Sequence, residues 1–153
     1  MRIGEWDFPA DLLYDRFHQW IRMEGGEMVL GVTDYASDTA GDILFVDLPR
    51  LGESFRREEP LGAIEAGKWV GKLYAPLNGT VVAVNEGLLR DPRPVNRDPY
   101  GSGWLVRLRL NEESGVDAML KGDAYRSWLE EELARQPLAL GSESAGAVSG
   151  IER

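Results

Sequence analysis

The chain reads as a mainly β protein: a flattened barrel of two quasi-equivalent halves, with a short internal helix and helices towards the C-terminal end. Three observations predict this. Short β-rich runs are separated almost everywhere by Gly or Pro. A seven-residue unit, Gly41-Asp42-Ile43-Leu44-Phe45-Val46-Asp47, is matched position by position by Gly79-Thr80-Val81-Val82-Ala83-Val84-Asn85. A β unit recurring in this way suggests two halves packed face to face. Apolar residues at helical spacing gather near the C-terminal end, in Tyr125, Trp128, Leu129 and Leu133.

Taken in order, His18–Met23 and Met28–Val32 flank Glu24-Gly25-Gly26-Glu27 and read as a β-hairpin around a Gly-Gly turn. Thr33-Asp34 offers an N-cap for a helix over Tyr35–Thr39, stopped by Gly41. Strand signals follow at Ile43–Leu48, Leu61–Glu65, Trp69–Tyr74, Thr80–Asn85 and Trp104–Leu110. Asp91-Pro92-Arg93-Pro94 cannot be a central strand, because two backbone donors are missing. Ser114-Gly115-Val116-Asp117 resembles a capping box, and Asp123 can cap a second helix. The expected organisation is one domain over 1–135 and a disordered tail over 136–153, where small and polar residues dominate without periodicity.

Composition excludes much chemistry. With no Cys and a single His, His18, the chain has no thiolate ligand or nucleophile and is poorly equipped for a His-based zinc site. Twenty-six acidic against 17 basic residues give a net charge of -9, which argues against nucleic acid or an anionic membrane as partner. Residues 111–153 hold nine of the acidic and four of the basic groups. The N-terminal residues show no leader pattern and no run is long enough to span a bilayer, so the expected location is cytoplasmic.

No catalytic constellation stands out. His18, between Phe17 and Gln19-Trp20, reads as structural. Glu58-Glu59 and Glu130-Glu131-Glu132 read as solvated charge. Gly101-Ser102-Gly103 lacks the third glycine of a dinucleotide fingerprint and precedes a strand. Asp38, Asp42 and Asp47 do not make a calcium loop, and no metal site is expected. Only three of the basic residues are lysines: Lys68, Lys72 and Lys121. Lys68 lies in Glu65-Ala66-Gly67-Lys68-Trp69-Val70-Gly71, between two strand runs. A tight turn there would present it to solvent, as the attachment point of a carrier cofactor requires.

Several segments in order resemble the glycine cleavage H-protein family of lipoyl carriers, over roughly residues 11–134. They are His18-Gln19-Trp20, Gly31-Val32-Thr33-Asp34-Tyr35-Ala36, Gly41 to Pro49, Leu73-Tyr74-Ala75-Pro76, Asn78-Gly79, Val84-Asn85-Glu86 and Asn96 to Leu105. The family's Glu-Ser-Val-Lys pattern around its modified lysine becomes Glu65-Ala66-Gly67-Lys68, with Tyr74-Ala75-Pro76 in register. The resemblance implies a lipoyl/biotinyl-type hybrid barrel with covalent lipoate on Lys68 at a hairpin tip, flanked by Glu65, Gly67 and Trp69. It implies a carrier rather than an enzyme.

The chain departs from the family around the arm. Phe17 stands where Ser is frequent, Gln19 is neutral where the family is acidic, and Lys72 reverses an acidic position. Trp69, bulky where the family is small, would crowd the arm root. Phe17, Gln19, Thr39 and Lys72 are the candidate arm contacts. These changes, with a tip resembling the lipoate-binding paralogues of heterodisulfide-reductase-like sulfur oxidation, favour a sulfur cargo narrowly over the methylamine of glycine cleavage. An unlipoylated scaffold or regulatory binding module is the third reading. Implied partners are a lipoate ligase or lipoyl transferase and dihydrolipoamide dehydrogenase. With them come glycine decarboxylase and aminomethyltransferase, or a heterodisulfide-reductase-like complex.

Overall fold

A computed structural model describes residues 1–67, 69–111, 115–116 and 119–135 of the chain. Among the described residues, three antiparallel sheets account for the strands. The short pair β1 (Arg2–Ile3) and β2 (Trp6–Asp7) forms one. A six-stranded sheet has β3 (Leu13–Tyr14) at one edge, then β4 (Gln19–Glu24), β5 (Glu27–Val32), β11 (Val106–Leu110), β10 (Gly79–Val84) and β7 (Ser54–Phe55). A three-stranded sheet has β8 (Pro60–Ala66) between β6 (Ile43–Asp47) and β9 (Trp69–Tyr74).

The two larger sheets share one core, the flattened barrel anticipated from the sequence. Met28, Leu30, Val81, Val106 and Leu108 from one meet Ile43, Val46, Ile64 and Leu73 from the other. The recurring heptapeptide supplies β6 to the small sheet and β10 to the large one. Both strands shift register at the equivalent place, between Ile43 and Phe45 in β6 and between Val81 and Ala83 in β10. Each shift bends its strand where the barrel must curve. A shared irregularity at one repeat position is stronger support for two quasi-equivalent halves than the residue match alone.

Helix α1 (Asp34–Ala40) starts at Thr33, whose hydroxyl accepts from the Ala36 amide, and stops at Gly41 with φ 87°. The sequence reading missed α2 (Gly87–Arg90) and α3 (Pro94–Arg97). One turn is too short to show helical periodicity. Asp123 is the first residue of α4 (Asp123–Arg135) rather than its cap, and there its charge suits the helix N-terminus. Ser114 and Asp117 of the expected capping box, and the tail 136–153, lie outside the described residues.

A second, aromatic cluster covers the outer side of the large sheet. Phe8, Tyr14, Trp20, Tyr35, Tyr125 and Leu129 are buried together, and Tyr14 stacks on Tyr125 with ring centres 4.3 Å apart. Among the described residues no helix is long and apolar enough to cross a membrane.

Candidate functional site

Strands β8 and β9 make the hairpin that carries the candidate lysine. Their register pairs Ala66 with Trp69, Glu65 with Val70, Ile64 with Gly71 and Ala63 with Lys72. Gly67 and Lys68 are therefore the two-residue connection. Lys68 itself lies outside the described residues. Its neighbour Gly67 is exposed, with nothing within 4 Å of where a Cβ would stand.

The period of two sorts the hairpin into an inner and an outer face. Leu61, Ile64, Ala66, Trp69 and Leu73 join the core. Glu65 and Val70 are exposed, in one row with Phe45 of β6. Asp47, Ala63 and Lys72 form the next row. Lys72 and Asp47 thus have one strand between them, roughly 9–10 Å at ordinary sheet spacing. At that distance on an exposed face the two charges are largely screened.

Trp69 does not crowd the outside of the tip. It is 5% exposed and turned into the core, with its ring lying where a side chain on Gly71 would be. A Cβ at position 71 would come within 2.3 Å of the indole. Burial of so large an apolar ring outweighs its exposure at the arm root.

Gln19 is likewise corrected. It is fully buried, and its side-chain amide donates to Asp15 Oδ2 at 2.8 Å and to the Tyr74 carbonyl at 2.9 Å. Its oxygen accepts from the Tyr74 amide at 2.8 Å. Both amide hydrogens are used, so Gln19 has none left for an arm and instead ties the start of β4 to the end of β9. Phe17 is half-buried and stacks on Tyr74 at 4.3 Å. The structure therefore brings Phe17 and Gln19 together at Tyr74, at the far end of β9 from the tip. Thr39 turns its hydroxyl back onto the Tyr35 carbonyl of its own helix.

The sequence reading missed Asp15. This buried carboxylate accepts from the backbone amides of Phe17 and Gln19 as well as from the Gln19 side chain. Burial pushes its pKa up to about 7, against those hydrogen bonds. No motif marks an isolated Asp as buried. His18 is structural, as expected: it is buried, packs against Tyr35 and Trp128, and is pushed down to about 4 by burial. Among the described residues no three His, Cys, Asp or Glu side chains gather to hold a metal ion.

Comparisons with known proteins agree with this geometry. The model of the glycine cleavage H-protein family matches residues 12–132. A glycine cleavage system H protein of Rubrobacter xylanophilus is 46% identical over 126 residues, covering 82% of this chain and 98% of the relative. One from Listeria innocua is 43% identical over 122 residues, covering 80% and 98%. The crystal structure of a glycine cleavage system H protein from Mycobacterium marinum superposes with a TM-score of 0.72 at 33% identity, covering 80% of this chain and 99% of that one. These matches favour glycine cleavage and give no support to the sulfur cargo suggested by the tip residues. The chain belongs to the glycine cleavage H-protein family.

Proposed function

We propose that this chain is the lipoyl carrier of a glycine cleavage system, with lipoate attached to Lys68 and a methylamine group derived from glycine as cargo. The observation that carries this is the hairpin register. Pairing of Ala66 with Trp69 leaves positions 67 and 68 to join the strands, and the exposed, unobstructed Gly67 supports reading the next residue as the family's modified position. The open space around Gly67 suits a bulky group on the neighbouring residue, so the residues present fit the group.

When attached, lipoamide supplies reversible dithiol–disulfide chemistry to a chain that has no thiol of its own. The rest falls to the protein. The buried rungs of β8 and β9 hold the connection out from the barrel. Burial of Trp69 fixes the strand immediately after it. The exposed row of Phe45, Glu65 and Val70 is available to enzymes that take up the arm. Tethering keeps the cargo at high local concentration in each docked active site. Implied partners are an enzyme that attaches lipoate, then glycine decarboxylase, aminomethyltransferase and dihydrolipoamide dehydrogenase. A cytoplasmic domain over 1–135 completes the reading.

Intact-mass and peptide analysis after expression in a lipoylating host tests it. Modification is expected on Lys68 alone, and Lys68→Arg should abolish loading by glycine decarboxylase without lowering the unfolding midpoint. An unmodified Lys68 in a host that lipoylates another H protein would overturn the proposal.

Lys72 shares the hairpin with the arm root and repels a cationic cargo, so Lys72→Asp should raise the methylamine-loading rate, by a few-fold given its exposure. An unchanged rate would show that this face does not meet the loaded arm. Gln19→Glu is a poor companion to that change. It would set a second carboxylate against buried Asp15 and remove the donor to Tyr74.

A further inference from the structure

We infer that the hollow beside the hairpin, walled by Ile43 and Leu44 on one side and Arg93 and Arg97 on the other, receives an acidic, partly apolar segment of an enzyme that works on the arm. This rests on the carrier reading above and adds to it a second contact, separate from the lysine. The hollow holds about 360 Å³ and is also lined by Asp42 and Asn96.

Three features distinguish this hollow from ordinary surface. Its floor is rigid. The Asn96 side chain accepts from the Ile43 amide at 2.9 Å and donates to the carbonyls of Gly41 and Ser37, which pins α3 against the start of β6. Its guanidinium side stands out on an acidic molecule. In a chain of net charge -9, Arg90, Arg93 and Arg97 fall within eight residues, among the carboxylates Asp42, Glu86, Asp91 and Asp98, the last of which accepts from Ser102. Asp91 is bound in two places by Arg93, at 2.8 Å each. Arg90 and Arg97 form no close ion pair among the described residues, although Arg97 acts with Arg93 in favouring the charged form of Asp91. An unpaired guanidinium with five fixed donors is suited to a carboxylate.

Its apolar wall is also left uncovered. Leu44 is 48% exposed and the adjacent Phe45 66%, on the outer side of a strand whose next rung is the hairpin. Ile43 pairs with Ala66, which directly precedes Gly67. A partner engaging the arm at position 68 therefore lies within reach of the hollow. A protein segment is favoured over a small anion because the guanidinium side is continuous with exposed apolar side chains. Charge at such a rim contributes chiefly to encounter and orientation.

The test uses the full-length lipoylated chain as the varied substrate of purified glycine decarboxylase, aminomethyltransferase and dihydrolipoamide dehydrogenase in separate assays. Arg97→Glu and, independently, Leu44→Ser are compared with the native chain, with thermal unfolding as the check on folding. For at least one enzyme, each variant should raise KM for the carrier about tenfold while kcat falls less than twofold. Arg97→Glu should also flatten the dependence of KM on salt, and Arg97→Lys should restore most of the loss. KM within twofold of native for all three enzymes overturns the docking site and leaves the carrier reading intact. Failure of the native lipoylated chain to serve any of the three overturns the carrier reading and this inference with it. Equal inhibition by acetate in native and Arg97→Glu chains is expected; inhibition confined to the native chain would show a small-carboxylate site and overturn the segment.

Discussion

Two tryptophans, one in each of the two larger sheets, use the same device with different completeness. Trp20 lies over Gly31, its cross-strand partner, and Trp69 lies over Gly71, two residues along its own strand. In both places the glycine leaves the room that the indole fills. Trp20 is also held by a polar bond, its Nε1 donating to the Pro99 carbonyl at 2.9 Å, and by the Arg22 guanidinium 5.0 Å from its ring centre. The Trp69 Nε1 is buried with no acceptor among the described residues. The aromatic-covered end is thus fixed by packing and hydrogen bonding together. At the hairpin the Trp69 ring itself is held by shape alone, with a buried donor left over.

The largest expected difference comes from removing each ring. Trp20→Ala should cost about 3–5 kcal/mol, as full truncation of a buried aromatic does, and it strands the Pro99 carbonyl as well. Trp69→Ala should cost distinctly less, because losing an unpaired buried N–H returns about 1–3 kcal/mol of desolvation penalty. Urea unfolding at neutral pH measures both. Equal losses would mean that the indole at the tip is as well satisfied as its counterpart, and the contrast would fail.

A smaller difference is expected when the glycines are filled. A Cβ at position 31 would stand 2.6 Å from the Trp20 Nε1, and that ring cannot move without breaking its bond to Pro99. Gly31→Ala should therefore cost about 2–3 kcal/mol, towards the upper end of overpacking penalties. At position 71 the clash is with the far edge of the Trp69 ring, which no hydrogen bond restrains. Gly71→Ala should cost nearer about 1 kcal/mol, and Trp69→Ala should relieve it in the double variant. A larger loss at 71 than at 31 would reverse the ranking.

The same contrast marks what the sequence could disclose. Strands β6, β8 and β9 were legible because alternation, Gly punctuation and the recurring heptapeptide are local signals. So was the hairpin connection holding Lys68, since two strand runs left no other place for it. The aromatic cover was only half legible. The spacing of Tyr125, Trp128 and Leu129 gave the helix face, but Phe8, Tyr14 and Trp20 come from far along the chain and no periodicity links them. Trp69 and Gln19 were misread for a related reason. Both occupy positions that the family resemblance places near the arm, and neither the neighbours nor the composition says which way a side chain turns. Their burial depends on Gly71 in one case and on Tyr74 and Asp15 in the other. The part that Asn96, Arg93 and Arg97 play in the hollow was not legible, because α3 is a single turn.

The smallest net effect is expected from pH, where two buried groups at the aromatic-covered end oppose each other. His18 is held neutral, its pKa lowered to about 4 by burial against the weaker pull of Glu132. As pH falls from about 6.5 to 4 the unfolded chain takes up a proton that folded His18 refuses, so this group alone makes stability rise with pH across that window. Asp15 is raised to about 7, by burial first and slightly by Glu58. Between about 4 and 7 the unfolded chain releases a proton that folded Asp15 keeps, so this group makes stability fall with rising pH. The native chain should therefore show a shallow profile from pH 4.5 to 6.5. His18→Phe should unmask a decline with rising pH, and Asp15→Asn a rise, in unfolding free energies measured every half unit of pH. Both slopes arise far from the hairpin tip, so lipoylation of Lys68 should leave them unchanged. A single-variant profile as flat as the native one would show that the buried pair does not govern this end of the molecule.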